Sequence, residues 1–208
     1  LNSTTLDLIK DKEEKYPEWT KLNNFKCSHC PLSSCTDEYC PVAVNLVDII
    51  LEFNNKPSYE KVRIEVSTNE RGYFKHTDIQ SGVSSLIGIL MPTSGCPIMS
   101  KLKPLVRFHL PFASLEETEF KVFSMFLIAQ YMRKTVGKEP DWELTELQEI
   151  YDNIKILNQN VASRIADLEA KDASINAVVV LNNFADFVSF NIEEKDLSNF
   201  KMYFSEYL

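Results

Sequence analysis

Residues 144–168, LTELQEIYDNIKILNQNVASRIADL, carry the pattern that decides the fold of this chain. Apolar positions recur along them in alternating steps of three and four, the spacing of a helix that buries one face. The seam consists of Leu144, Leu147, Tyr151, Ile154, Asn158, Val161, Ile165 and Leu168. Asn158 is its single polar member, so we expect it to fix the register of the packing. The pattern predicts one long helix over residues 141–170.

Helices are also predicted on both sides of this seam. Ser114 and Glu117 have the spacing of a capping box, which predicts a helix that begins there and ends near Gly137. A further helix is predicted over residues 173–192, where apolar residues on most sides indicate a central position. The last residues carry four aromatic side chains that are expected to dock on the core: Phe200, Tyr203, Phe204 and Tyr207.

The composition of the chain changes near residue 111. Residues 1–111 contain all five cysteines, all three histidines and eight of the nine prolines. Residues 112–208 contain neither cysteine nor histidine, and their 17 acidic and 9 basic side chains account for the net charge of −8. We therefore predict an α+β metal-loop region over 1–111 and an acidic helical bundle over 112–208, packed as one compact unit. Chemistry that needs a thiol or an imidazole belongs to the first region.

The first region has the pattern of a small sheet with helices. Residues 58–67 alternate apolar and charged side chains, as in a half-buried strand, and residues 71–78 are expected to return beside them as a hairpin. A third strand is expected over residues 3–9, because two strands alone are marginally stable. Helices are predicted over 42–53 and 82–90. The predicted fold class is α+β, mainly helical: a small N-terminal antiparallel sheet with a Cys-rich metal loop, packed on a C-terminal helical bundle.

Length, composition and charge exclude several classes of protein. A chain of 208 residues with 44% apolar and 25% charged residues is expected to fold around a hydrophobic core. The net charge of −8 argues against nucleic-acid binding, which requires a basic surface. No apolar run approaches the ~20 residues that cross a bilayer, and the N-terminal residues lack the basic flank and apolar stretch of a secretory signal. We therefore expect a cytoplasmic protein with neither a nucleic acid nor a membrane as partner.

The cysteines give the strongest chemical signal. Cys27, Cys30, Cys35 and Cys40 fall within fourteen residues, and His29 adds a nitrogen donor between the first two. Zinc takes four sulfur or nitrogen ligands in a tetrahedron, and a Cys-x-x-Cys turn places two sulfurs on one ion. The lack of a recognisable secretory signal disfavours disulfides. The sequence therefore predicts a structural zinc site, with an iron–sulfur cluster as the alternative because the final Cys-Pro also suits a cluster.

The fourth metal ligand is not fixed by the spacing. Cys35 would complete a self-contained loop site with Cys27, Cys30 and Cys40, and this is the preferred set. Cys96 is the alternative fourth ligand, which would join two distant segments. Cys30, Cys40 and Cys96 each precede a proline, a pattern that favours a helix N-cap. A thiol in that position feels the positive end of the helix and is expected to ionise more readily.

Two further hypotheses concern reactivity and anion binding. Cys96 together with His109 would be the minimum for thiol nucleophilic catalysis, so a thiol-dependent enzyme is one alternative. Arg71 and Lys75 are expected on one strand face, where they would sense a small anionic ligand. The preferred function is a non-enzymatic, zinc-stabilised interaction or regulatory module. Its predicted partner is a protein, and the helices offer a surface for a homodimer.

Overall fold

The computed structural model describes residues 1–2, 4–9, 15–53, 55–168, 173–193 and 197–208. Over these ranges the chain is mainly helical, with one antiparallel sheet of two strands. The helices are α1 (Leu22–Phe25), α2 (Pro41–Phe53), α3 (Ile79–Leu90), α4 (Lys103–Arg107), α5 (Leu115–Thr135), α6 (Thr145–Asp167), α7 (Ala173–Glu193) and α8 (Ser198–Lys201). The strands are β1 (Lys61–Ser67) and β2 (Gly72–Asp78). Single 3₁₀ turns occupy Glu18–Thr20, Met99–Leu102 and Met202–Phe204.

Both predicted ends of α5 are confirmed. The Ser114 hydroxyl accepts a hydrogen bond from the Glu117 backbone N–H at 3.1 Å, and the Glu117 carboxylate accepts one from the Ser114 N–H at 2.7 Å. This reciprocal pair satisfies two N–H groups that the first turn of a helix otherwise leaves open. At the other end Gly137 has a φ of +77°, which an L side chain rarely adopts, so the helix stops there.

Helix α6 begins at Thr145, later than the predicted residue 141. The Asp141 carboxylate accepts hydrogen bonds from the N–H groups of Glu143, at 3.1 Å, and Glu146, at 2.6 Å. Because these contacts hold the preceding residues in a turn, with Leu144 at a φ of +64°, the helix cannot start earlier. The predicted end at residue 170 lies outside the described residues. The seam is buried as predicted at Leu144, Leu147, Tyr151, Ile154, Asn158, Val161 and Ile165.

Helix α7 packs against α6 on one side and against α3 and α2 on another. Its buried residues include Ala177, Val178, Ala185 and Val188. An 18-residue window within residues 174–193 has a mean hydropathy of 1.3, so α7 is long and apolar enough to cross a membrane by length and composition. The expectation that no apolar run is this long is therefore wrong. The core helix of a folded domain meets the same criterion, and the contacts with α3 and α6 fit that role.

The hairpin has a simple register, from Lys61 opposite Asp78 to Ser67 opposite Gly72. Its turn is closed by a hydrogen bond from the Thr68 N–H to the Arg71 carbonyl at 2.8 Å. Beyond the second strand, the Asp78 carboxylate accepts from the Ser81 N–H at 3.0 Å and starts α3 directly. The hairpin lies close to α3 at Gly82, where a Cβ would overlap the end of the Ile64 side chain.

The predicted third strand is wrong for residues 4–9, and Ser3 lies outside the described residues. The segment gives one backbone hydrogen bond to the rest of the chain, from the Leu8 N–H to the Thr93 carbonyl at 3.0 Å. It is held further by an ion pair between Asp7 and Lys103. These contacts attach it to the segment after α3, and β1 and β2 remain the whole sheet of the described chain.

One hydrophobic core contains residues from both halves of the chain. It extends from Leu22 in α1, through α2, α3, α5 and α6, to Ile192 in α7. The terminal aromatic residues join it less than predicted. Phe200 is buried, whereas Tyr203, Phe204 and Tyr207 are exposed, because the chain ends in short turns that leave one side to solvent.

Candidate functional site

The Cys-rich segment runs from the end of α1 to the start of α2 and closes on itself. Cys30 donates its N–H to the Cys27 carbonyl at 3.1 Å, which makes the expected Cys-x-x-Cys turn. The Cys40 N–H donates to the Thr20 carbonyl at 2.8 Å, and an isolated β-bridge joins Lys21 to Tyr39. The segment therefore brings its first and last thiols back to the same side of α1.

Cys96 reaches this place from a distant turn after α3. Gly95 has a φ of +90°, which reverses the chain just before it. The Cys96 N–H donates to the Ser94 hydroxyl at 3.2 Å, and the Cys96 carbonyl accepts from the Ser100 N–H at 2.9 Å. These bonds fix the backbone on both sides of the cysteine, so its side chain is held toward the core.

Four thiols line one small cavity: Cys27, Cys30, Cys40 and Cys96. The cavity has a volume of about 10 Å³, room for one water-sized sphere, and its other walls include Phe25, Leu157 and Val161. Cys35 lies outside it, exposed on the loop, where its N–H donates to the Ser33 hydroxyl. The structure thus brings together three of the four preferred ligands and the alternative fourth. All five cysteines are free thiols.

Burial dominates the electrostatics of these thiols. Burial, together with the smaller effect of negative charge on Cys40, Cys30 and Cys96, raises the pKa of Cys27 to about 12. The Asn160 amide, whose nitrogen lies 3.5 Å from the Cys27 sulfur, lowers the pKa of Cys27. The same amide donates to the Phe25 carbonyl at 3.0 Å, so it ties the end of α1 to α6.

The predicted N-caps differ at the three Cys-Pro positions. Cys40 precedes α2, and hydrogen bonds from the Val42 and Ala43 N–H groups lower its pKa; burial outweighs them and the pKa is raised to about 11. Burial likewise raises the pKa of Cys96, at the start of a turn, and hydrogen bonds from the Met99 and Ile98 N–H groups lower it in part. No helix follows Cys30 in the structure. The expectation that the Cys40 thiol ionises readily is therefore wrong for the metal-free protein.

The donor set suits a thiophilic metal, but the thiols are not arranged around one. Sulfur is the preferred ligand of structural zinc, and N–H groups directed at Cys40 and Cys96 would stabilise their thiolates. Yet no three His, Cys, Asp or Glu side chains of the described residues converge as a metal-ligand set. Both ring nitrogens of His29 are buried without a hydrogen-bond partner. The zinc site therefore stays a prediction.

The structure does not pair Cys96 with His109. Cys96 lines the thiol cavity, whereas His109 lines a larger cavity between α3, α6 and α7. There the Nε2 atom of His109 lies 3.5 Å from the Ser85 hydroxyl. Burial raises the pKa of the Cys96 thiol, which is the opposite of what an activated nucleophile requires.

Arg71 and Lys75 lie on the outer part of the hairpin. Arg71 precedes β2 and is exposed, and Lys75, opposite Ile64, is also exposed. Neither side chain lines a cavity described above. The structure therefore gives this pair no enclosed site for a ligand, and anion sensing by it stays untested.

The larger cavity was not predicted from the sequence. Its walls come from segments that are far apart in the chain, and its polar groups occur singly among apolar residues. One signal was present: Asn158 interrupts an otherwise apolar seam. Its role in fixing the register stays a prediction, and the structure places it on the cavity wall.

The comparison with known families places the whole chain in one of them. Residues 1–205 match the family described as a domain of unknown function (DUF6901). The chain belongs to this family. No curated protein and no solved structure matches it.

Proposed function

We propose that this chain is a non-enzymatic interaction or regulatory module of a cytoplasmic protein, stabilised by one zinc ion. The proposed ligands are Cys27, Cys30, Cys40 and Cys96. The observation that carries the proposal is the meeting of these four thiols, from three separate segments, around one ion-sized cavity. Chance seldom gathers four of five cysteines in this way, and four sulfur donors are a complete ligand set for structural zinc.

The size of the cavity favours a single ion over the iron–sulfur alternative. A volume of about 10 Å³ holds one small sphere, whereas a cluster also brings its own sulfide ions and needs more room. The thiols would have to converge further to coordinate an ion, since they do not form a ligand set among the described residues. Zinc binding would also remove the cost of ionising buried thiols, because the metal holds them as thiolates.

Zinc at this place would join the N-terminal segment to the helical core. Cys27 and Cys30 belong to the loop after α1, Cys40 to the start of α2, and Cys96 to the turn after α3. Structural zinc contributes on the order of 10 kcal/mol in zinc-finger peptides, which bounds the effect expected here. The ion would take the place of apolar packing that this polar loop lacks.

A protein partner is supported by an exposed apolar strip on α5. Ile128, Tyr131, Met132 and Val136 are each more than half exposed and lie at helical spacing, so they share one face. Contiguous apolar surface of this kind is typical of interaction sites. A second copy of the chain is one occupant of this surface, and another protein is the other.

The two remaining hypotheses have less support. A thiol enzyme needs a base beside its cysteine, and Cys96 and His109 line separate cavities. An anion sensor at Arg71 and Lys75 would act on an open hairpin surface, where single charged contacts contribute little.

Elemental analysis of the purified chain tests the metal directly. We expect one zinc per chain, no iron and no visible-light absorption of a cluster. The decisive pair of variants is Cys96→Ser and Cys35→Ser, since the two cysteines are the competing fourth ligands. Cys96→Ser should lose zinc and unfold at a lower temperature, whereas Cys35→Ser should keep both the zinc and the melting temperature.

Two outcomes would contradict the proposal in different ways. If Cys35→Ser loses zinc and Cys96→Ser retains it, the fourth ligand is Cys35 and all four ligands belong to the Cys-rich loop. A chain that contains no metal after expression in zinc-supplemented medium, and binds none on titration, would remove the metal site.

A further inference from the structure

The larger cavity lies at the centre of the helical core. It has a volume of about 230 Å³ and lies between α3, α5, α6, α7 and the segment around α4, partly open to solvent. Its walls are largely apolar and include Phe112, Phe184 and the methionines Met91 and Met99. Concave, mostly apolar cavities with a few polar groups are the usual form of small-molecule sites.

Two largely buried polar side chains lie on the cavity wall. Asn158 is 3% exposed and Tyr151 is 5% exposed, and both lie on α6 facing the cavity. Neither the Asn158 amide nor the Tyr151 hydroxyl hydrogen-bonds any other described side chain. Polar groups that occur singly on a largely apolar wall can hydrogen-bond a ligand within the cavity.

The charged end of the cavity is positive. Lys121, on α5, and His109 are both half-buried and line this end of the cavity. Burial, and after it the charge of Lys121, lowers the pKa of His109. The Ser85 hydroxyl lies beside the imidazole. No Asp or Glu side chain lines the cavity, although the chain as a whole carries a net charge of −8. A bound anion would therefore meet the positive charge of Lys121 on the cavity wall, with the Glu117 carboxylate as the acidic group near that lysine.

We infer that this cavity binds a small aromatic monocarboxylate. Its carboxylate would lie at Lys121, within reach of His109 and Ser85, and its ring would occupy the apolar interior. A polar substituent on the far side of the ring would reach the Asn158 amide or the Tyr151 hydroxyl. The inference does not depend on zinc, because the thiols line a different cavity.

The volume and the wall chemistry set the size of the ligand. A cavity of about 150 Å³ lined by apolar side chains takes up benzene, so about 230 Å³ accommodates a ring with a short side chain. Aromatic and methionine side chains, as found on these walls, pack well against a ring. A phenyl ring joined to a carboxylate through two methylenes is 3-phenylpropionate, which serves as the probe.

Calorimetric titration of the full chain tests the inference with three matched compounds. They are 3-phenylpropionate, its alcohol 3-phenylpropanol, and 3-(4-hydroxyphenyl)propionate, which adds a distal hydroxyl. We expect both acids to bind at least ten times more tightly than the alcohol, and the hydroxylated acid to be the tightest. Lys121→Met should abolish the preference for acids, whereas Lys134→Met, at an exposed position of the same helix, should leave it unchanged.

The methionines give a second readout that does not need a variant. In the ¹³C-methyl spectrum, Met91 and Met99 should shift on titration with 3-phenylpropionate, whereas Met132 and Met202, exposed elsewhere, should not. Equal affinity for acid and alcohol, or an acid preference that survives Lys121→Met, would overturn the carboxylate assignment. No binding of any of the three compounds, with the methyl signals unmoved, would overturn the site.

Discussion

At the residue scale, burial and local hydrogen bonds have opposite effects on the pKa of the Cys40 thiol. Cys40 has the N-cap position that lowers a thiol pKa, and its pKa is nevertheless raised to about 11. The reason is that the thiolate loses most of its hydration inside the core, and two N–H groups replace only part of it. Burial raises the pKa of Cys27, Cys40 and Cys96, which favours their thiol form; a bound metal would hold them as thiolates.

Alkylation rates give the first prediction. Cys35 is exposed, whereas Cys27, Cys40 and Cys96 are buried with raised pKa values. At neutral pH only about one Cys27 thiol in 10⁵ is ionised at a pKa of about 12, and the thiolate is the reactive form. In the metal-free chain, peptide mass spectrometry after brief iodoacetamide treatment should therefore show Cys35 modified first.

The same experiment separates this reading from thiol catalysis. A nucleophilic Cys96 would be modified faster than Cys35 near neutral pH, and that order would contradict the prediction. Denatured protein serves as the control, because unfolding removes the difference in exposure and all five cysteines should then react at similar rates.

Spacing alone could predict the cysteine turn but not which other thiols line the same cavity. Cys27 and Cys30 meet because three residues determine a local turn. Cys35 is near in sequence and points away, whereas Cys96 is distant in sequence and lines the same cavity. Which of them joins the cavity is decided by how the turn after α3 packs on α1 and α6, and no local pattern contains that information.

At the element scale, the helices with explicit local signals were predicted best. Helix α5 has a capping box and a terminal glycine, and both act within a few residues, so its ends were predicted correctly. The start of α6 was missed because Asp141 binds two N–H groups ahead of the helix. The predicted third strand is wrong because the N-terminal segment packs near Thr93. Local periodicity does not encode such a long-range contact.

The capping box of α5 gives the second prediction. Replacing Ser114 by alanine removes the acceptor for the Glu117 N–H and should lower the free energy of unfolding by about 1 kcal/mol. The matched control is Ser163→Ala, at an exposed interior position of α6, where alanine is the better helix former and stability should not fall. Urea unfolding followed by circular dichroism measures both. An equal loss in the two variants would show that the cap contributes nothing.

At the scale of the whole molecule, composition and packing divide the chain differently. Cysteines, histidines and most prolines precede residue 112, and the net negative charge follows it. The core crosses this boundary, because α7 packs on α3 as well as on α6 and apolar residues of both halves form one cluster. Composition reports where the chemistry lies along the chain. It says little about which helices share a core, since any apolar face can meet any other.

The shared core gives the third prediction, that the two halves unfold together. The chain has two tryptophans, Trp19 before α1 and Trp142 before α6, one in each half. The variants Trp142→Phe and Trp19→Phe therefore each report from one half. Because removing either half would expose the apolar face of the other, we expect the two fluorescence transitions in urea to share one midpoint and one slope. Circular dichroism of the unmodified chain provides the control for the substitutions. Separate midpoints, with the first half unfolding at lower urea, would instead assign residues 1–111 and 112–208 to independent units.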